Sequence, residues 1–155
     1  KYMLLTKEQL EALHQDFAKF LASQQIDSKE WDAIKQNKPE IAQEELELFS
    51  DVVWEDVLTK MRYLEHFSAS QIDLFKCGPK SLHRIVVRIA KADFNFFDEK
   101  DYHWFLKNPA HKDTTYFQAL KNYDSERNLE LFSLIKKGSV VCKGDLYKSI
   151  LIQIK

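Results

Sequence analysis

The chain of 155 residues has little glycine and no long apolar run. Its three glycines, Gly78, Gly138 and Gly144, lack the spacing of a phosphate-binding loop or of a dinucleotide-binding fingerprint, which excludes those nucleotide sites. Uninterrupted apolar runs reach only three or four residues, so we expect no membrane-spanning helix. The apolar pair Leu4-Leu5 runs directly into polar residues, and no signal peptide is visible. We therefore expect a cytoplasmic protein.

Signatures of catalysis and of metal binding are also missing. Cys77 and Cys142 are 65 positions apart and have no Cys-x-x-Cys partners, and neither G-x-S-x-G nor H-E-x-x-H occurs. We expect both cysteines to be reduced thiols that serve as small apolar side chains. The sequence therefore predicts no catalytic residue, cofactor site or metal site, although a catalytic pair assembled by folding stays open.

Charge is distributed unevenly along the chain. Residues 1 to 60 contain seven Lys and Arg against thirteen Asp and Glu, whereas residues 61 to 155 contain sixteen against eleven. The net charges are thus −6 and +5, although the whole chain carries only −1. Two interpretations stay open, namely attraction between the two halves of one fold and a bipolar surface that orients a partner.

The stretch from Pro39 to Met61 has the strongest helical pattern. Pro39 suits the first helical position, and the apolar residues from Ala42 to Val57 recur at steps of three and four. The pattern predicts a long acidic helix whose second half is buried nearly all round. Before it, Thr6 with Gln9 predicts a capped helix that runs to about Ser23, and Asp27 with Glu30 predicts a short helix that ends before Pro39.

Period-two patterns follow the helices. Alternation predicts strands at 63–67, 71–77 and 81–91, with a turn at Gly78-Pro79-Lys80, and a short fourth strand at Phe94 and Phe96. Asp98 then predicts a helix through Leu106, 116–120 is ambiguous, and Ser125 predicts a cap for a helix that ends before Gly138. Asp145 can cap a last helix, although the β-branched residues at the end could equally form a strand.

These patterns predict one α+β domain over residues 1–155. In it, an N-terminal three-helix unit packs with a small antiparallel β-meander and with C-terminal helices. No repeat, low-complexity segment or linker divides the chain.

Two charged surfaces are candidate binding sites for a partner. The long helix presents Glu44, Glu47 and Asp51, which form either a docking surface or an ordinary solvated face. The predicted hairpin presents Lys80, Arg84 and Arg88, with Phe75 and His83 interleaved. Such a face could bind phosphates while an aromatic ring stacks on bases, or its arginines could simply lie over the acidic helix.

Three stretches resemble a family of short, uncharacterised proteins predicted in flavobacterial genomes. They are LTKEQLEALHQDFAKFLASQQIDSKEW, VVWEDVLTK and the closing KKGSVVCKGDLY. The resemblance implies a bacterial cytosolic protein and supplies no activity, cofactor or catalytic residue.

Together these features favour a non-enzymatic protein–protein interaction module, or a subunit of a bacterial cytoplasmic complex. It would use the acidic helix and the basic sheet face to bind a protein partner, and no membrane. The alternatives are an RNA or single-stranded nucleic-acid binder and an enzyme with a nonstandard site. The sequence leaves the oligomeric state open.

Overall fold

The computed structural model describes residues 1–155 and has the predicted α+β architecture, with seven helices and five strands. The chain divides into two compact units, Lys1–Thr59 and Lys60–Lys155. The helices are α1 Lys7–Ala12, α2 His14–Ser23, α3 Ser28–Asn37, α4 Pro39–Lys60, α5 Glu99–Lys107, α6 Arg127–Lys136 and α7 Asp145–Ile154. The strands are β1 Tyr63–Phe67, β2 Gln71–Cys77, β3 Ser81–Ile89, β4 Thr114–Asn122 and β5 Val140–Cys142.

Local capping determines where the first helices begin. Thr6 and Gln9 form the predicted capping box, and the Asp27 side chain accepts from the N–H of Glu30. The predicted single helix from Thr6 to Ser23 is interrupted at Leu13, whose φ of −105° and ψ of 21° lie outside helical values. One non-helical residue leaves the apolar spacing nearly intact, so the sequence pattern did not reveal the break.

An aromatic cluster holds the first unit together. The ring centroid of Phe17 lies 5.2 Å from that of Trp31 and 5.0 Å from that of Phe49, and Phe20 lies 5.4 Å from Phe49. These contacts join α2, α3 and α4, and Phe49 is almost completely buried. Truncation of a buried phenylalanine costs about 3 to 5 kcal/mol, so this cluster is a major source of stability in the unit.

The long helix α4 is less buried than its sequence predicts. It begins at Pro39 as expected, yet Val52 and Val57 in its second half are 55% and 43% exposed, and Leu48 is 52% exposed. The prediction of burial all round was wrong. Apolar residues on several faces of a helix permit burial of those faces. Burial also requires another element to pack against each face, and the helix sequence does not determine that.

The second unit is built on an antiparallel sheet with strand order β4-β3-β2-β1-β5. The predicted β-meander is confirmed in β1, β2 and β3, and the ambiguous segment around Tyr116 belongs to β4. The predicted strand at Phe94 and Phe96 was wrong, because neither residue belongs to a strand, and their rings lie 4.8 Å apart in the core between β3 and α5. Their period of two reflects burial of alternate rings and not strand pairing.

One face of the sheet packs against α5 and α7 to form the core of this unit. The ambiguous C-terminal segment is helix α7, which contributes Tyr147 and Ile150 to that core. Gly144 precedes α7 with a φ of +82°, and a Cβ there would lie 2.4 Å from Cγ of the Tyr63 ring. Both the backbone conformation and the close ring therefore require glycine.

Two predicted helix caps were wrong. Helix α6 begins at Arg127 after Glu126 and has no side-chain cap, so Ser125 does not fill that role. Gly144 occupies the cap position of α7, and Asp145 is its first helical residue. Tertiary contacts position α6 instead, because the Arg127 guanidinium donates to main-chain carbonyls of the residues Met61, Cys77 and Gly78.

Candidate functional site

The N-terminal segment, residues Tyr2 to Leu5, lies along α4 and is held there by three hydrogen bonds. The N–H of Leu5 donates to Oγ of Ser50 over 3.0 Å, and the N–H of Tyr2 donates to Oδ1 of Asp51 over 2.9 Å. The Tyr2 hydroxyl donates to the Glu55 carboxylate. The segment is therefore anchored at both ends, by Tyr2 and by Leu5.

A groove of about 440 Å³ lies between this segment and α4. We call it the acidic groove, and it is lined by Lys1, Tyr2, Met3, Leu4, Glu44, Glu47, Leu48 and Asp51. Its apolar side chains are open to solvent, since Met3 is 50% exposed, Leu4 44% and Leu48 52%. The groove combines three exposed apolar side chains with three carboxylates.

The three predicted acidic residues differ in how their charge is compensated. Asp51 binds the Lys1 amino group at 3.0 Å as well as the N–H of Tyr2. Burial acts to raise the pKa of the Asp51 carboxyl, but these hydrogen bonds and nearby positive charges outweigh it, so the pKa lies below its ordinary value. Glu47 accepts only from the Gln43 amide, at 3.3 Å, and Glu44 forms no ion pair. Two carboxylates of the acidic groove are thus uncompensated by a cation.

Between Asp73 and Asp93 the sequence has a basic run without any acidic residue, and the structure divides this run between different parts of the sheet; its members are Lys76, Lys80, Arg84, Arg88 and Lys91. Arg84 and Arg88 share one face of β3, opposite the core-facing residues Ile85 and Val87, as the alternation predicts. Lys76 lies opposite His83 in the register of β2 and β3, on the core-facing side of the sheet. Lys80 lies in the turn between these strands. The run is therefore not one continuous basic face.

Arg84 and Arg88 are engaged within the sheet itself. Arg84 forms an ion pair with Asp73 at 2.6 Å, and Nε of Arg88 donates to Oε1 of Gln71 at 2.7 Å. The Gln71 amide donates in turn to Asp73 at 3.1 Å, so the four side chains form one network. Both arginines therefore bond to side chains of the neighbouring strand β2. One interpretation of the sequence had instead expected them to lie over the acidic helix. The Asp73 carboxylate therefore already offsets the charge of Arg84, which makes Arg84 a weaker ligand for phosphate.

The aromatic residues expected to stack on bases are not available. Phe75 is buried, and the two ring nitrogens of His83 contact the Tyr147 hydroxyl and the Gln118 side chain. Phe117 is the exposed ring on this face, 5.4 Å from the Arg88 guanidinium. Phe117 could not be chosen from the sequence, because the segment 116–120 was ambiguous.

The cysteines are unsuited to nucleophilic chemistry. Both are free, and burial raises the pKa of Cys77 from 9.0 to about 11. Burial also raises the pKa of the Cys142 thiol. Thiolate is the reactive form, so neither group is activated at neutral pH. No group of three or more His, Cys, Asp and Glu side chains is placed to hold a metal ion.

Sequence reasoning missed Ser50, Tyr2 and the exposed apolar residues that complete the acidic groove. A faint signal for Ser50 existed, because it is a polar residue beside Phe49 on the buried face of α4. The apolar pair Leu4-Leu5 was considered only as part of a signal peptide, which the polar residues after it argue against. None of the seven helices has both the length and the apolar character needed to cross a bilayer.

Comparisons with known proteins agree with the resemblance to an uncharacterised family. No curated protein and no solved structure matches the chain. A family model described as a family of unknown function, DUF6495, matches residues 1–155. The chain therefore belongs to the DUF6495 family.

Proposed function

We propose that the protein is a non-enzymatic interaction module whose acidic groove binds a basic, amphipathic segment of a partner protein. The proposal includes the setting that the flavobacterial resemblance implies, a complex in the bacterial cytoplasm. One observation carries it: Glu44 and Glu47 lack cationic partners and border the exposed side chains of Met3, Leu4 and Leu48.

The chemistry of the groove selects the class of partner. Two uncompensated carboxylates repel phosphate groups, which disfavours nucleic acid and nucleotides as occupants. Apolar side chains in the same groove gain free energy when a partner's apolar side chains exclude water from them, at roughly 25 cal/mol per Å². Lysine or arginine on the partner can then approach the carboxylates at the rim. A basic amphipathic peptide segment satisfies both requirements.

The basic sheet face contributes less to this proposal than the acidic groove. Arg84 is paired with Asp73, and Lys80 stands apart in its turn. Uncompensated charge orients the encounter of two proteins, whereas charge that is already paired has little long-range effect. The acidic groove has two carboxylates without an ion pair beside three exposed apolar side chains, whereas the sheet face has Arg88, bonded to Gln71, beside the exposed ring of Phe117.

The test is photo-crosslinking from the acidic groove, combined with charge reversal. A photoreactive amino acid at Leu48 is used in native lysate with and without nuclease, and the crosslinked peptide is identified by mass spectrometry. The variant Glu44→Lys/Glu47→Lys reverses the free charges and leaves Asp51 to hold Tyr2. Its matched control is Glu8→Lys/Glu11→Lys, which makes the same change at exposed positions of α1.

We expect a nuclease-resistant protein partner whose crosslinked peptide carries both basic and apolar residues. With the purified partner, the groove variant should slow association at low salt by about tenfold or more, and the α1 variant should change it little. Added salt should reduce the difference. Equal association of the two variants, or a crosslink to nucleic acid, would reject the acidic groove as a protein-docking site.

A further inference from the structure

Strand β4 is a long and unprotected edge of the sheet. It pairs with β3 on one side only, and most of its nine residues are exposed. Phe117 is 49% exposed and Leu120 is 69% exposed. The strand contains no proline and no acidic residue, and its single cation, Lys121, is bonded to Asp124 and Glu130. It therefore lacks the free charges and prolines that normally keep an edge strand from pairing.

The hydrogen bonds at the two ends of β4 show which main-chain groups point outward. The N–H of Ala90 donates to the carbonyl of Asp113, and the N–H of Tyr123 donates to the carbonyl of Lys80. In an antiparallel pair, residues that exchange hydrogen bonds alternate with residues that do not. The odd-numbered residues from 113 to 123 therefore bond to β3. The main-chain groups that point away from the sheet belong to Thr114, Tyr116, Gln118, Leu120 and Asn122.

This outward row is complementary to itself. When two copies of β4 run antiparallel about a two-fold axis at Gln118, Gln118 meets its own equivalent and Tyr116 meets Leu120 of the other copy. Thr114 likewise meets Asn122. All five outward residues then face outward residues, and because the Thr114 N–H already donates to the carbonyl of His111, the row gives about eight main-chain hydrogen bonds. We propose that a second copy of this chain pairs with β4 in this register and joins the two sheets into one.

Charge and side chains favour a second copy as the occupant. In this register Lys121 lies opposite Thr115, so no like charges face each other. Phe117 lies opposite Ala119, and the exposed Leu120 lies opposite Tyr116 of the other copy. A strand of another protein would need side chains and main-chain groups that fit this row. A second copy of β4, related by the two-fold axis, already has them.

The size of the contact determines how strong the dimer should be. A nine-residue strand is about 30 Å long, and an edge-to-edge contact about 10 Å deep buries on the order of 600 Å² in total. That area is smaller than a standard stable interface. The dimer should therefore be reversible, monomeric at about 1 μM and substantially paired at several hundred μM.

Sedimentation velocity of the whole chain across that concentration range tests the pairing. Gln118→Pro removes one outward N–H without removing a bond to β3, so it should abolish the dimer. Gln118→Ala is its matched control, because it also loses the side-chain bond to His83 but keeps the main-chain donor. Leu120→Lys is a second disrupting variant that needs no proline, and circular dichroism checks that each variant is folded.

A disulfide tests the register directly. In a Cys142→Ser background, Gln118→Cys should form an intermolecular disulfide on oxidation, because self-paired residues lie about 5.5 Å apart between Cα atoms. Thr115→Cys is the control, since its two copies would be about 20 Å apart. Wild-type protein that stays monomeric at several hundred μM, or Gln118→Pro that still dimerises, would overturn the proposal.

Two further outcomes distinguish this inference from the proposed function. The first is a wild type that stays monomeric together with a Gln118→Pro variant that loses a partner captured from lysate. Strand β4 would then pair with a strand of another protein, and the proposed pairing of two copies would be rejected. The variant Glu44→Lys/Glu47→Lys should dimerise like wild type, because its substitutions are on α4. Loss of groove binding with an intact dimer, or the reverse, separates the two sites.

Discussion

The main-chain N–H of Leu5 donates to the side-chain oxygen of Ser50 over 3.0 Å, and both residues are almost completely buried. Replacement of Ser50 with alanine leaves this N–H without its partner, which costs about 1 to 3 kcal/mol. We expect the free energy of unfolding in urea to fall by that amount, and the Leu5 amide to exchange hydrogen faster. Ser133→Ala, at an exposed position of α6, is the control. A similar small loss in both variants would show that the bond does not anchor the N-terminal segment.

The Cys77 thiol gives the protein a specific sensitivity to alkaline pH. Burial raises its pKa to about 11, so the folded state favours the neutral thiol more strongly than the unfolded chain does. That contribution is fully present below the unfolded pKa, near 9.0, and is lost as pH rises through about 11. Over this pH range, we expect the free energy of unfolding to fall by about 2 to 3 kcal/mol more in wild type than in Cys77→Ala. Urea unfolding at several pH values measures it, and parallel pH curves for the two proteins would contradict it.

Substitution of Arg84 and Arg88 tests the alternative that the protein binds nucleic acid. If both contact phosphate, Arg84→Ala/Arg88→Ala should reduce the salt slope of single-strand binding by roughly 1.4 units, about 0.7 for each lost contact. Because Asp73 and Gln71 already bond these arginines, we expect no binding of labelled RNA or DNA by fluorescence anisotropy, even at low salt. Lys76→Ala/Lys143→Ala removes equal charge elsewhere and serves as the control. Binding that only the arginine variant weakens would favour the nucleic-acid function.

Single-step unfolding tests the prediction of one domain over residues 1–155. The two compact units meet in sequence at Thr59 and Lys60, and only two residues separate α4 from β1. We expect one urea transition, because no flexible linker allows independent folding. Trp104→Phe leaves tryptophan fluorescence only in the first unit, and Trp31→Phe/Trp54→Phe leaves it only in the second. Different midpoints for the two variants, together with a two-step transition in wild-type circular dichroism, would divide the domain.

Many features that depend on neighbouring residues were predictable from sequence, although the caps at Ser125 and Asp145 were not. The caps formed by Thr6, Asp27 and Asp98 each use a side chain and an N–H within three positions, and all three are present. The alternation that predicted β2 and β3 was equally local, because Ile72 and Leu74 of β2 and Ile85, Val87 and Ile89 of β3 form a buried row on one face. Segments without a one-sided pattern were not assigned correctly, and β4 is exposed almost throughout.

The candidate site was predictable only in part. Helical spacing brought Glu44, Glu47 and Asp51 onto neighbouring turns of one helix, as expected. The opposing wall of the groove depends on contacts such as Tyr2 with Asp51, which are 49 positions apart. Likewise, the partner of Arg84 is determined by the β2–β3 pairing and not by the overall charge of a distant helix. Spacing along one element says which residues lie together, but not what lies opposite them.

The pairing of β5 with β1 gives the second unit an order of assembly during synthesis. Strands β1 to β4 are adjacent both in sequence and in the sheet, so they can pair as soon as they are made. Strand β5, which pairs with β1, and helix α7, which adds Tyr147 and Ile150 to the core, both come late in the sequence, after α6. Until residues 140–154 leave the ribosome, the apolar face bearing Ile72, Leu74 and Ile85 remains partly uncovered. A growing chain of this protein must therefore carry an unfinished sheet, the state in which chaperones recognise nascent proteins.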